Sequence, residues 1–197
     1  MSLPLITLVE AERVGLRPVA ATDLPELLAI NGDPQVTQFL PYATWQTLDD
    51  GAAWLARMEA LGATGSAQQL VVVRRVDAAV IGTLLLFKHD AGSQRIELGY
   101  VLGRAHWGQG LMREALQAVC SHLFGALGLR RIEAEVNPAN VASCRLLARV
   151  GFTLEEIAEL MTLNDTSDHR LARELAAEKI RNIEVRIAQL HKVADAL

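Results

Sequence analysis

An α/β (α+β) domain, with a mixed sheet flanked by helices and a helical tail behind it, is the architecture that this chain of 197 residues predicts. Three observations carry that reading. Segments with strand character and segments with helical spacing alternate in the order strand, two helices, three strands, helix, strand, helix. Apolar residues make up 51% of the chain, ample for a buried core. From residue 152 the pattern turns helical, which divides the chain into a domain at 1–151 and a tail at 152–197.

The elements follow in order. In "RVGLRPV", residues 13–19, Val14, Leu16 and Pro18 alternate with Arg13, Gly15 and Arg17 as a strand requires. "TDLPELLAING" carries helix signals in sequence: Thr22 or Asp23 as cap, Pro25 in the first turn, Gly32 near the stop. A second helix runs from near Leu48 to Gly62. "QQLVVVRRV" and "AVIGTLLLFKHD", joined at "DAA", read as a hairpin, and "RIELGYVLG" as the strand after it, since Val, Ile, Leu and aromatic residues dominate all three. "MREALQAVCSHLFGALG" places Leu116, Val119, Cys120, Leu123, Phe124 and Leu127 on one helical face. "LRRIEAEVN" returns to strand at 130–137, and "NVASCRLLARVG" is a helix stopped by Gly151. In the tail, Ala176, Ile180, Ile183, Ile187, Leu190, Ala194 and Leu197 advance by alternating steps of four and three, the seam of a coiled coil. A homodimer through this helix is the partner it predicts.

Composition narrows the function classes. With 19 Lys and Arg against 23 Asp and Glu, the net charge of −4 provides no bulk attraction to nucleic acid or anionic lipid. No apolar run reaches membrane-spanning length, and the residues MSLPLITLVEAER lack the positive charge that precedes a secretory leader's apolar run. Cys120 and Cys144 fall inside helical stretches, which suits a reduced, cytoplasmic protein better than a disulfide framework. The five histidines show no metal-ligand spacing with the cysteines, so no metal is expected.

"RAHWGQGLMREALQAV", residues 104–119, sets Gly108 and Gly110 at the junction of a strand and a helix. Unpaired N–H groups at a helix N-terminus, with no Cβ in the way, form a phosphate cradle, although a tight turn without a ligand also suits a G-x-G. A dinucleotide fingerprint fails because Arg113 stands where the third glycine belongs, and no Walker sequence is present.

The strings "GYVLGRAHWGQGLMREAL" and "EAEVNPANVASCRLLARVGF" together closely resemble the GCN5-related N-acetyltransferase (GNAT) superfamily, in particular its ribosomal-protein N-terminal acetyltransferase branch. "ERVGLRPVAATDLPELLAINGDPQV" is similar to the same branch, and the resemblance covers residues 12–154. It implies a GNAT-like mixed, mostly antiparallel sheet and acetyl-CoA as cosubstrate. It assigns to the pantetheine the backbone of Tyr100, Val101 and Leu102, and to the pyrophosphate and its surroundings Arg104, His106, Trp107, Gly108, Gln109, Gly110, Leu111 and Met112. Asn140 matches a pantetheine contact, and Ser143 matches both a cofactor contact and the acid proposed in this branch. Glu135 matches the proposed base, with Glu97 as second choice. Acetyl transfer needs such a base, because an alkyl amine is almost wholly ammonium at neutral pH. Alternation places Glu133 and Glu135 on one strand face.

Three departures qualify the match, and Cys144 carries a separate reading. Ala105 stands where the family's phosphate loop has Gln or Arg. Leu147 stands where several relatives have a tyrosine acid. Cys144 reads as a helix-face residue rather than an acyl-accepting nucleophile. "GFTLEEIAEL" onward resembles the C-terminal region of MerR-type regulators, a short helix and a long dimerisation helix, in place of the family's last two strands. That loss leaves the strand at 130–137 as a sheet edge for the tail to cover. The expected activity is N-acetylation of a primary amine, on a protein N-terminus or a small molecule. The alternative is a noncatalytic CoA-binding sensor or coiled-coil interaction protein.

Overall fold

The computed structural model describes residue 3 and residues 6–153. The coiled-coil seam, the dimerisation expected of it and the proposed cover for the sheet edge all lie outside the described residues. Among those residues, six strands form one sheet in the order β1 (Val9–Glu10), β2 (Val14–Pro18), β3 (Ala67–Arg74), β4 (Val80–Asp90), β5 (Arg95–Leu102) and β6 (Arg131–Glu133). The helices are α1 (Leu24–Asn31), α2 (Pro34–Thr37), α3 (Leu48–Ala63), α4 (Leu111–Gly125) and α5 (Val141–Val150). Neighbouring strands pair antiparallel except β5 and β6, which are parallel because the α4 crossover returns the chain in the same direction.

Both faces of the sheet are covered. On one, Leu70, Val72, Leu84, Leu86, Ile96 and Leu98 pack against Leu116, Val119 and Leu123 of α4. On the other, Val71, Val80 and Val101 meet Leu27, Ile30, Trp45, Trp54 and Leu55. This two-sided burial is why β3 reads as a continuous run, since every residue from Ala67 to Val72 is buried. Each fully buried leucine or isoleucine contributes about 1.5–3 kcal/mol. The hairpin turn between β3 and β4 closes through an Arg74–Asp77 ion pair at 2.6 Å and the Arg74 amide bonded to the Ala79 carbonyl at 2.8 Å.

The structure differs from the sequence expectations in five places. β1 and the one-turn α2 were not predicted; α2 forms because Asp33 caps the Gln35 amide at 2.9 Å and Pro34 has the φ of a first helical residue. Pro18 ends β2 exposed instead of joining Val14 and Leu16 in the core. On α4, Phe124 is 48% exposed and Leu127 lies beyond the helix, while Leu111, Met112 and Ala115 join the buried face. β6 spans three residues rather than 130–137. The Asn137 side chain accepts the Ala139 amide at 2.9 Å and its carbonyl the Asn140 amide at 2.8 Å, making a turn where the strand was expected to end. Glu133 and Glu135 therefore do not share a strand face, because Glu135 lies past the last paired residue.

Candidate functional site

The site grows from the shortness of β6. The β5–β6 ladder ends at Glu97↔Glu133, so Leu98–Leu102 continue with β4 alone as described partner. The Gly103 amide donates to Ile81 of β4 at 2.8 Å, and Val101 pairs with Thr83. Alternation along the strand then directs Val101 toward β4 and the amides of Tyr100 and Leu102 toward the open side. Of the three backbone groups expected to line a ligand, two face the gap. Trp107, 46% exposed, donates its indole N–H to the Leu102 carbonyl at 2.7 Å.

Beyond β5, a short 3₁₀ turn at Arg104–His106 leads into the glycine loop. Gly108 and Gly110 have φ of 72° and 76°, a left-handed conformation that side-chain-bearing residues adopt only with strain. Among the described residues, a Cβ on Gly108 would meet nothing within 4 Å, and one on Gly110 would meet only Nη2 of Arg13, at 3.5 Å. The loop is therefore open on its outer side. The Gly110 carbonyl accepts the Glu114 amide at 3.1 Å, so the amides of Leu111, Met112 and Arg113 precede the first intrahelical bond and carry the positive end of the α4 dipole. Leu111 and Met112 are 4% and 3% exposed, so only their backbones can serve the loop. Gln109 spans back to the Ala105 carbonyl at 2.8 Å, and Arg104 pairs with Asp33 at 2.7 Å, tying the loop to α2. Burial and the nearby Arg74 push the His106 imidazole below its ordinary pKa, which leaves it neutral at pH 7.

Across the gap stands α5. Asn140 caps it, its side-chain oxygen accepting the Ser143 amide at 3.1 Å, and the Ser143 hydroxyl meets the Tyr100 hydroxyl at 2.5 Å. Burial raises the Tyr100 pKa, opposed by the Ser143 bond, so the phenol stays protonated. Leu147 is 1% exposed and fills the core beneath this helix. Cys144 touches the Asn137 carbonyl at 4.0 Å, and burial pushes the Cys120 thiol up to about 11, well away from thiolate chemistry.

The acids separate. Glu97 is 9% exposed and engaged by Lys88 at 2.8 Å. Glu133 is held by Arg95 at 3.1 Å and Arg131 at 2.7 Å. Glu135 is exposed, none of the described ion pairs involves it, and it lies near enough to Lys88 to stabilise that ammonium after Glu97 does. One arrangement escaped sequence reasoning. The Arg13 backbone and Nε bond the Glu114 carboxylate at 2.6 and 2.7 Å, and Nη1 bonds the Gln109 carbonyl at 3.0 Å. No local signal links residues this far apart in the chain. Among the described residues no cluster of His, Cys, Asp and Glu suits a metal ion.

Comparison with known proteins adds the family context. The family model described as "Acetyltransferase (GNAT) domain" matches residues 13–153, and one described as "MerR, DNA binding" matches residues 145–197. The chain is 33% identical to an uncharacterized N-acetyltransferase, p20, of Bacillus licheniformis, over 73% of this chain and 81% of that one. It is 32% identical to the ribosomal-protein-serine acetyltransferase of Escherichia coli over 45% of this chain and 50% of that one. Among solved structures, Mycobacterium smegmatis RimJ in complex with CoA-disulfide superposes with a TM-score of 0.68 at 27% identity, covering 75% of this chain and 76% of that one.

Proposed function

The chain belongs to the GNAT acetyltransferase family, and from that premise we propose that it is an acetyl-CoA-dependent N-acetyltransferase that passes acetyl directly to a primary amine in a ternary complex. The observation that carries this reading is the edge of β5, unpaired beyond Glu97 among the described residues, which leads into a left-handed glycine cradle at the head of α4. Acetyl-CoA would supply an activated thioester and a thiolate leaving group. Its pyrophosphate suits the amides at Gly108–Met112, which combine a helix N-terminus with an outer face that, among the described residues, only the Arg13 guanidinium approaches. Main-chain amides suffice for this, so Ala105 in place of Gln or Arg leaves the cradle intact. Tyr100 and Leu102 offer amides to the pantetheine, with Trp107 and Asn140 at its two sides, and Arg104 and Gln109 hold the loop's shape.

Glu135, free to reach an incoming ammonium, takes its proton directly or through a water, and the neutral amine attacks the thioester carbonyl. An amide on β5 polarises that carbonyl. Ser143, paired with the Tyr100 hydroxyl, orients its hydroxyl toward the departing sulfur, and the second proton that the amine nitrogen sheds as the amide forms neutralises the thiolate. A thiol with a pKa of about 8.5 needs little such help, so Ser143 acts chiefly by orientation. Glu97, engaged by Lys88, supports Glu135 rather than replacing it. The acceptor class proposed is a protein N-terminus or a small amine, the former by analogy with the ribosomal-protein-serine acetyltransferase. The absence of a membrane-spanning helix among the described residues is compatible with a cytoplasmic setting.

The MerR match at 145–197 favours a second reading, a noncatalytic CoA-binding or coiled-coil interaction protein with its acceptor pocket lost. Calorimetric titration with acetyl-CoA, alongside CoA release over a panel of amines and N-terminal peptides, separates the two. Saturable binding with amine-dependent release is expected, and Glu135→Gln is expected to lower turnover by about 10²–10⁴-fold while binding persists. Binding with no release for any acceptor would support the second reading, and no binding by folded protein would remove the CoA site altogether.

A further inference from the structure

A glycine loop does not by itself choose which way its peptides face. The peptide unit is planar and trans, so the Gln109 carbonyl and the Gly110 N–H point in opposite directions. Gly110, with φ of 76° and no side chain, makes rotation of this unit sterically cheap. In one orientation the cradle gains an N–H; in the other it presents a carbonyl oxygen to an anion.

Arg13 settles the choice. Its Nη1 donates to the Gln109 carbonyl at 3.0 Å and draws that oxygen toward the β2 side, which turns the Gly110 N–H the opposite way. Arg13 is itself fixed twice by Glu114, which accepts its backbone amide at 2.6 Å and its Nε at 2.7 Å. Its carbonyl accepts the Arg75 amide at 2.9 Å. Glu114 stands in the first turn of α4, so the same helix that opens the cradle anchors the clamp. The guanidinium fork reaches carboxylate and carbonyl together; a lysine, with one point charge, cannot hold both. At 48% side-chain exposure Arg13 is not a core residue, so its replacement opens no cavity.

We propose that Arg13, anchored by Glu114, is a positioning residue that holds the Gln109–Gly110 peptide with its N–H toward the cofactor pyrophosphate and so sets acetyl-CoA affinity. This rests on the acetyltransferase reading above. The test compares wild type with Arg13→Lys, Arg13→Ala and Glu114→Gln, using acetyl-CoA and S-acetylpantetheine, a donor without the pyrophosphate. For the Arg13 variants the Kd and KM for acetyl-CoA are expected to rise on the order of tenfold. kcat at saturating donor and the KM for S-acetylpantetheine are expected to stay within about twofold of wild type. Glu114→Gln, which weakens the anchor without touching the loop, is expected to show a smaller rise with the same selectivity, and serves with Arg13→Lys if Arg13→Ala does not fold. Unchanged acetyl-CoA affinity in Arg13→Lys would overturn the proposal. So would an equal loss for both donors, which would make Arg13 a general structural support. Wild-type protein that binds no acetyl-CoA would end the acetyltransferase reading and this inference with it, and that result is read before any variant is made.

Discussion

Asp23 shows how a single side chain organises the start of the domain. It is 3% exposed, and burial acts to raise its pKa, but two bonds from Arg17 at 2.7 and 2.8 Å and one from the Ala20 amide at 2.8 Å outweigh burial and hold it below the ordinary value. A carboxylate whose pKa is lowered by folding stabilises the fold above its unfolded pKa and loses that contribution as pH falls through the native one. Acid unfolding is therefore expected to include an Asp23 component that begins near pH 4 and grows below it. Asp23→Asn should lower stability at pH 7 by about 1–3 kcal/mol and flatten the stability profile across that acidic range, as read by urea denaturation at a series of pH values. An Asn variant as stable as wild type at neutral pH would mean that the Arg17 pair contributes nothing net.

At the scale of elements, the close approach of β4 and β5 determines where the site opens. An added Cβ on Gly82 would fall 2.3 Å from the Val101 carbonyl oxygen and 3.2 Å from the Leu102 Cα, contacts with backbone that cannot rotate away. Gly82 thus lets β4 hold β5 straight through Leu102 after β6 has ended. Gly82→Ala is expected to destabilise the protein by about 1–3 kcal/mol and to weaken acetyl-CoA binding in the same variant, because displacing β5 carries Tyr100 and Leu102 with it. Thermal unfolding and calorimetry on one preparation read both effects. A loss of stability with affinity intact would mean that the cofactor edge tolerates movement of the strand.

For the whole molecule, the family match at 13–153 and the heptad seam at 176–197 belong to different parts of the chain. The tail from residue 152 carries nine acidic and six basic residues, and dimerisation is the property proposed for it. Sedimentation equilibrium of the full chain is expected to give twice the chain mass. Ile183→Glu with Ile187→Glu should shift it to monomer, since charges at consecutive seam positions cannot be buried between helices. Acetyl-CoA affinity is expected to persist in the monomer, because every proposed cofactor residue lies before the tail. A double variant that remains dimeric would move the interface elsewhere.

Much of this was legible in the chain itself. Periodicity locates α1, α3 and α4 and strands β2 to β5, because a two-sided core imposes its pattern on the residues that meet it. The glycine loop at 108 and 110 was visible as a turn or cradle with no Cβ in the way, and the structure adds that both glycines are left-handed. Asn140 was singled out as a pantetheine contact by resemblance, and the structure adds that it caps α5 through the amide three residues on. What the sequence left open involves partners distant in the chain. The early end of β6 at Glu133 is something that alternation does not register, and among the described residues it leaves Leu98–Leu102 paired with β4 alone. The capture of Glu97 by Lys88, the meeting of Tyr100 with Ser143 and the clamp of Arg13 on Gln109 all require strands and helices to be packed before they exist. Local backbone preference is written residue by residue, whereas these contacts come from the fold that brings distant side chains within hydrogen-bonding range.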